Sequence, residues 1–159
     1  MNYADTNWME AVYIRPHPDD PEGQERERVV ERFSRKHGGQ LALSHVVLLE
    51  ARNVFSRVTG ESQPREWQQL EADFDGRLYI DPMNWDQLRR QCHALFARYA
   101  WKIQLGTFDT AVVAAAKLAG ATRFLSFDPR AKALAAAEGL AVFPPLDAEG
   151  KRILSKLKR

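Results

Sequence analysis

Residues 108–128, FDTAVVAAAKLAGATRFLSFD, decide the fold. Phe108 to Ala119 is almost wholly apolar, and a helix that is apolar all round is buried rather than amphipathic. Gly120 ends it, Arg123 to Phe127 reads as a strand, and Asp128 stands before Pro129, a good cap for the next helix. A buried helix feeding a strand that feeds another helix is the alternation of a parallel α/β sheet.

The same alternation extends in both directions. Upstream, Asn2 to Asp5 forms a first strand, followed by a short helix from Asn7 to Ile14 that ends before Pro16 and Pro18. Pro21 and Gly23 complete that loop, and Val29, Val30 and Phe33 mark a charged helix over Gln24 to Lys36, closed by Gly38 and Gly39. Leu41 to Leu43 is a second strand, and Ser44 caps a helix running to about Val58. Arg65 to Phe74 follows as a helix opened by Pro64, and Leu78 to Ile80 as a third strand. A long helix from Trp85 to about Ile103 stops at Gly106, and Thr107 caps the apolar helix. Downstream, Pro129 to Glu138 is a helix and Leu140 to Phe143 a fifth strand. Residues 1–146 thus form one domain, with 147–159 a basic C-terminal tail that reaches at most a helical turn around Ile153, Leu154 and Leu157.

Composition agrees with a single globular unit. The chain has 159 residues, 45% hydrophobic and 28% charged, enough to bury a core without disulfides. Cys92 has no partner and sits in a helical pattern with Leu88, Leu95 and Phe96, as a packing residue. No stretch is long enough to span a bilayer, and Met1 to Trp8 lacks a signal-peptide pattern, so the expected location is cytoplasmic. A net charge of +2 does not announce nucleic-acid binding, and the cations of the tail read as a solvated, frayed end in preference to a phosphate contact.

The chemistry lies in carboxylates. Ligands of an open parallel sheet bind outside the carboxyl ends of its strands, where Asp5 and Asp128 fall, with Asp109 in the first turn of the apolar helix. Each also has a structural reading, as a helix cap or a complement to a helix dipole. Glu50 is neither, being two turns inside its helix between Val46, Val47, Leu49 and Ala51 at the margin of the core, and its structural alternative is a solvated helix face. Carboxylates sharing one pocket repel unless protons or cations neutralise them. Oxygen donors suit Mg²⁺ or Mn²⁺, and neither Cys92 nor His17, His37, His45 and His93 has zinc-ligand spacing.

Four separated blocks resemble the PIN domains. They are Tyr3-Ala4-Asp5-Thr6-Asn7, Leu43 to Val54 around Glu50, Phe108-Asp109-Thr110-Ala111 with Gly120, and Phe124 to Asp128 with Gly139 to Val142. The resemblance implies a three-layer α/β sandwich, with a parallel sheet in the order 3-2-1-4-5. It also implies an acidic site of Asp5, Glu50, Asp109 and Asp128 for metal-dependent hydrolysis of RNA. Thr6, Asn7, Asn53 and Ser126 would support the acids or touch substrate, and Arg52, Arg57, Arg130 and Lys132 would meet RNA phosphates or else be scattered surface charge. Many bacterial members are homodimeric toxins of toxin–antitoxin pairs, inhibited by a partner protein. Others process RNA without being toxins, and a non-catalytic RNA- or protein-binding module is the competing reading.

Departures from the family pattern are Ala4 before the first acid, the bulk of Trp8, and the proline-rich loop from Arg15 to Gly23. Trp8 and that loop are expected to line or cover an RNA groove. A phosphoacceptor role for Asp5 or Asp81 is disfavoured, because Asn7 stands where a second aspartate is needed and Asp81 follows an edge strand.

Overall fold

The computed structural model describes residues 1–159. Strands β1 (Asn2–Ala4), β2 (Leu41–Leu43), β3 (Leu78–Ile80), β4 (Arg123–Leu125) and β5 (Ala141–Phe143) form one sheet in the order β3-β2-β1-β4-β5. Every pairing is parallel, in registers such as Tyr3 with Ala42, Leu43 with Ile80, Ala4 with Leu125 and Leu125 with Phe143. The expected order is therefore the observed one, with β1 at the centre and Asp5 leaving its carboxyl end. The central strands are buried because helices cover both faces, which is what an all-parallel sheet requires.

The helices are α1 (Thr6–Tyr13), α2 (Pro21–His37), α3 (His45–Thr59), α4 (Arg65–Ala72), α5 (Trp85–Tyr99), α6 (Thr107–Leu118), α7 (Pro129–Ala137) and α8 (Ala148–Leu157). Helices α1 to α4 pack among themselves, α5 to α8 do likewise, and α3 meets α6. As expected, α6 is buried along Val112 to Ala116, and Cys92 is a free, buried packing residue on α5. No helix is long and apolar enough to cross a membrane.

Three expectations change. Helix α2 begins at Pro21, inside the expected loop, because Asp20 caps it through a bond from the Gly23 amide (2.9 Å) and Pro21 needs no amide partner at the first position. Trp8 does not line a groove. Its ring is buried, stacked on Phe127 at 5.2 Å and set edge-on to Phe33 at 5.4 Å, so it fastens α1 to α2 and to the turn after β4.

The third change is at the C-terminus, where residues 148–157 are a capped helix rather than a frayed tail. Asp147 accepts from the Gly150 amide at 2.7 Å, and Ile153 and Leu157 join the same hydrophobic core as the strands. Helix α7 is alanine-rich, so α8 approaches it closely, and Gly150 packs on the turn that leads into α8, where a side chain would meet Leu146 Cδ2 at 2.8 Å. Lys132 is buried under this contact and donates to the carbonyls of Pro144 (3.3 Å) and Pro145 (3.4 Å). It is a structural cation, not a phosphate contact.

A buried carboxylate, Glu138, follows α7. It accepts from the Tyr99 hydroxyl at 2.6 Å and pairs with Arg98 and Lys117, joining the ends of α5, α6 and α7.

Candidate functional site

Asp5 sits where β1 turns into α1, and its side chain has two duties. Oδ1 accepts from the Thr6 amide at 2.8 Å, a helix cap, while Oδ2 accepts from the Ser126 hydroxyl at 2.7 Å. The carboxylate is only 3% exposed and no cation bonds it. Burial pushes its pKa up to about 7; the Ser126 and Thr6 bonds oppose that rise, while the charges of Asp109 and Glu50 add to it.

The charges of other acids reach it. Asp109, in the first turn of α6, is raised by its own burial and then by the charges of Asp128 and Glu50, with Arg130 acting in the opposite direction. Asp109 is therefore the one acid whose charge is coupled to those of the other three, the hub of the set. Glu50 on α3 is tied to α1 by a bond donated from the Thr6 hydroxyl to its Oε2. Asp128 lies at the start of α7, its Oδ1 accepting from the amides of Arg130 (2.7 Å) and Ala131 (3.2 Å).

One carboxamide ties this array to the turn after β4. Asn7 Oδ1 accepts from the Phe127 amide at 2.9 Å, and its Nδ2 donates to Ser126 Oγ at 3.3 Å and to Asp5 Oδ2 at 3.5 Å. Ser126 Oγ accepts from the Asp128 amide at 3.0 Å. Asp5 and Asp128, far apart in sequence, are thus held in one polar net. As arranged, no three of the chain's His, Cys, Asp or Glu side chains close around a common point.

The sequence profile of the PIN domain matches residues 5–137 of this chain. The chain belongs to the PIN domain family. PIN domains are, as a family, nucleases. No curated protein matches by sequence. Among solved structures, the chain is similar to VapC20 of Mycobacterium tuberculosis, described as a sarcin-ricin loop cleaving toxin. That likeness has a TM-score of 0.66 and 16% identity, over 89% of this chain and 97% of the other. It is also similar to a chain of VapBC2 from Rickettsia felis, bound to a DNA fragment from its promoter, at TM-score 0.60 and 19% identity over 89% and 97% of the two chains. A chain of FitAcB from Neisseria gonorrhoeae gives 0.58 and 20% over 91% and 98%. At these identities the likeness establishes the shared PIN fold.

Within this PIN domain the remaining candidates divide. Thr6, Asn7 and Ser126 lie in the acid network, and Arg130 is exposed beside Asp109. Asn53 is exposed and, with Glu50, lines a cleft of about 250 Å³. Arg52 is turned away, donating to Ser56 Oγ and to the Ser62 carbonyl at 2.7 Å and lying over the Trp67 ring, so it braces α3 against the segment leading to α4. Arg57 is exposed on α3 and outside the acid network. Asp81 accepts from the Tyr3 hydroxyl at 2.9 Å and from the Met83 amide at 3.3 Å, the loop role expected of it.

Sequence reasoning missed three residues here. Leu49, expected at the core margin, is exposed, and with the half-exposed Phe108 it walls the cleft over Glu50. Gly106, read only as a helix stop, itself takes the cap position of α6, displacing Thr107 into the helix. A side chain at Gly106 would lie 2.8 Å from Asp109 Oδ2, so the glycine makes room for the hub carboxylate. A glycine three residues before an acid at a helix start is the signal that points to it.

Proposed function

We propose that this PIN domain is a metal-dependent endoribonuclease whose acids Asp5, Glu50, Asp109 and Asp128 hold Mg²⁺ or Mn²⁺, and that it is the toxin of a toxin–antitoxin pair. The observation that carries the nuclease reading is Asp5, a buried carboxylate with no cation and with other carboxylates for neighbours. Such a group stays half-protonated near neutral pH unless a cation reaches it. The donor set fits a hard divalent ion, being all carboxylate oxygen with hydroxyl and carboxamide support and no thiolate or imidazole.

A divalent ion bound there would supply an activated water and offset charge on the phosphate. Asp5, Glu50 and Asp109 are the principal ligands. Ser126 and Thr6 orient Asp5 and Glu50 through the bonds that they donate. Asp128 keeps Oδ1 on its helix cap and has Oδ2 free to position water or a further ion. Arg130, beside Asp109 and exposed, meets a substrate phosphate.

The toxin reading draws support from the fold shared with VapC20 and with chains of VapBC2 and FitAcB. It brings an RNA substrate, a cognate antitoxin protein and a homodimer. Induced expression in a bacterial host should then arrest growth, and Asp109→Asn should relieve the arrest. Growth unaffected by an active nuclease would favour an RNA-processing role.

Cleavage of a labelled RNA with and without Mn²⁺ tests the chemistry. Asp5→Asn and Asp109→Asn should each lower the rate by about 100-fold or more. Metal-independent cleavage, unchanged in both variants, would sink the mechanism. A second reading, a non-catalytic binding module, is favoured by one observation, that the four acids do not close around a common point as arranged. Saturable Mn²⁺ binding, lost in Asp109→Asn, would decide against it.

A further inference from the structure

Helix α8 carries a basic face that the acidic site does not use. The whole chain has a net charge of +2, and residues 151–159 hold five cations and no acid, which leaves the other 150 residues at −3. Lys151, Arg152, Lys156, Lys158 and Arg159 are all exposed, and none makes an ion pair or a side-chain hydrogen bond. Helix α2 shows the contrast. Its arginines are interleaved with acids, and Arg26, Arg28 and Arg32 pair with Glu22 and Glu25.

Folding does not require this face. At about 100° per residue, Lys151, Arg152 and Lys156 fall within roughly 140° of arc, opposite Ile153 and Leu157, which bury against the core. Cations in the last turn complement a helix dipole, but Lys151 and Arg152 lie in the first half of α8, where they gain nothing from it. The apolar face of α8 is already occupied by the core, so the helix is not free to lie in a lipid surface.

An exposed tryptophan is linked to the C-terminal end of the same helix. Trp101, after α5, is 76% exposed, the most exposed large apolar side chain of the protein. Lys102 joins it to α8, its Nζ lying 5.2 Å from the Trp101 ring centroid and donating to the Leu157 carbonyl at 2.9 Å. A flat aromatic ring in solvent, tied through Lys102 to the end of a helix that bears unpaired cations, supplies the two elements that hold single-stranded nucleic acid, bases stacking on the ring and phosphates meeting the cations.

We infer that the exposed face of α8, with Trp101, is a second RNA-binding surface that holds unpaired RNA outside the acidic site. The identity of the strand as RNA rests on the nuclease reading above; the charge and stacking argument does not.

Anisotropy of a labelled, unstructured oligoribonucleotide, measured with the full chain in EDTA at several salt concentrations, tests the surface without any cleavage. The triple variant K151Q/R152Q/K156Q should bind about tenfold or more weakly. Its log affinity should also fall less steeply with log salt, by about 2 in slope, since each lost phosphate contact on a single strand removes about 0.7. Trp101→Ala should weaken binding by about tenfold and leave the slope unchanged. Unchanged affinity and slope in the triple variant overturn the inference. So does equal loss of oligoglutamate and RNA binding in that variant with no effect of Trp101→Ala, which would mark a docking face for an acidic protein. A chain that cuts RNA but binds it equally well without these cations defeats this inference alone. One that binds through α8 but cuts nothing defeats the nuclease reading alone.

Discussion

Asp5 and Glu138 both hold their carboxylates away from water, and they have opposite protonation behaviour. Burial acts to raise both. At Glu138 the bonds from Lys117, Tyr99 and Arg98 outweigh burial, and its pKa falls below the usual value. At Asp5 the donors are neutral, a hydroxyl, a backbone amide and a carboxamide, the neighbouring charges are negative, and its pKa rises to about 7. One buried acid has its cations built into the fold and the other leaves that place to something from outside. This is the physical difference between a structural ion pair and a site that awaits a ligand.

The largest expected effect on stability comes from removing the built-in pair. Glu138→Ala leaves Lys117 and Arg98 without their acid and should cost about 2–3 kcal/mol in urea unfolding. That is less than the ~3–5 kcal/mol of a fully enclosed pair, because both cations are partly exposed. A loss under about 0.5 kcal/mol would mean that Glu138 is no anchor. Next comes Asp5→Asn, with the opposite sign. An acid raised from 3.8 to about 7 contributes stability that is fully present below its unfolded pKa and is lost as pH rises through 7. Metal-free Asp5→Asn should therefore be more stable than the parent at pH 8, by on the order of 1–3 kcal/mol, and not at pH 4. Mn²⁺ should stabilise the parent and erase that advantage, through binding to the folded state alone. A variant less stable than the parent at pH 8 in EDTA would show that Asp5 acts chiefly as a cap.

The sheet was legible because its signals are local and redundant. Each strand is a short, mainly apolar run closed by Asp, Ser or Pro, and the all-apolar run Ala111 to Ala116 fits only a buried helix. The acids were legible by order and context, although the geometry assigns them unequal parts. Asp128 does the capping that its position before Pro129 foretold, while Asp109, which a dipole would have explained, is the electrostatic hub. What was not legible depends on distant surfaces. Trp8 was misread because nothing near it in sequence announces Phe33, Phe127 and Phe143. Helix α8 was read as a tail because two buried residues, Ile153 and Leu157, make too thin a stripe to outweigh five cations until α7 supplies a close surface. Glu138 drew no notice, since its partners lie on two other stretches of chain, and the network is visible only once α5, α6 and α7 end together.

The smallest effect sharpens what the built-in cations do. Arg98 is 49% exposed and lies over the Tyr99 ring at 5.6 Å, so water screens its share of the pair. Lys117 and the Tyr99 hydroxyl still satisfy Glu138 when Arg98 is gone. Arg98→Gln should therefore cost less than about 1 kcal/mol at pH 7. Its pH signature is more telling than its size. Glu138, being lowered, contributes stability that is present above its unfolded pKa and is lost as pH falls through its folded value. Removing one of the groups that lower it moves that loss to a higher pH, so Arg98→Gln should begin to unfold at a higher pH than the parent on acid titration. If Arg98→Gln instead matched Glu138→Ala in cost, the network would behave as one unit rather than as graded contributions, and neutralising Asp5 with a single ion would be the weaker analogy.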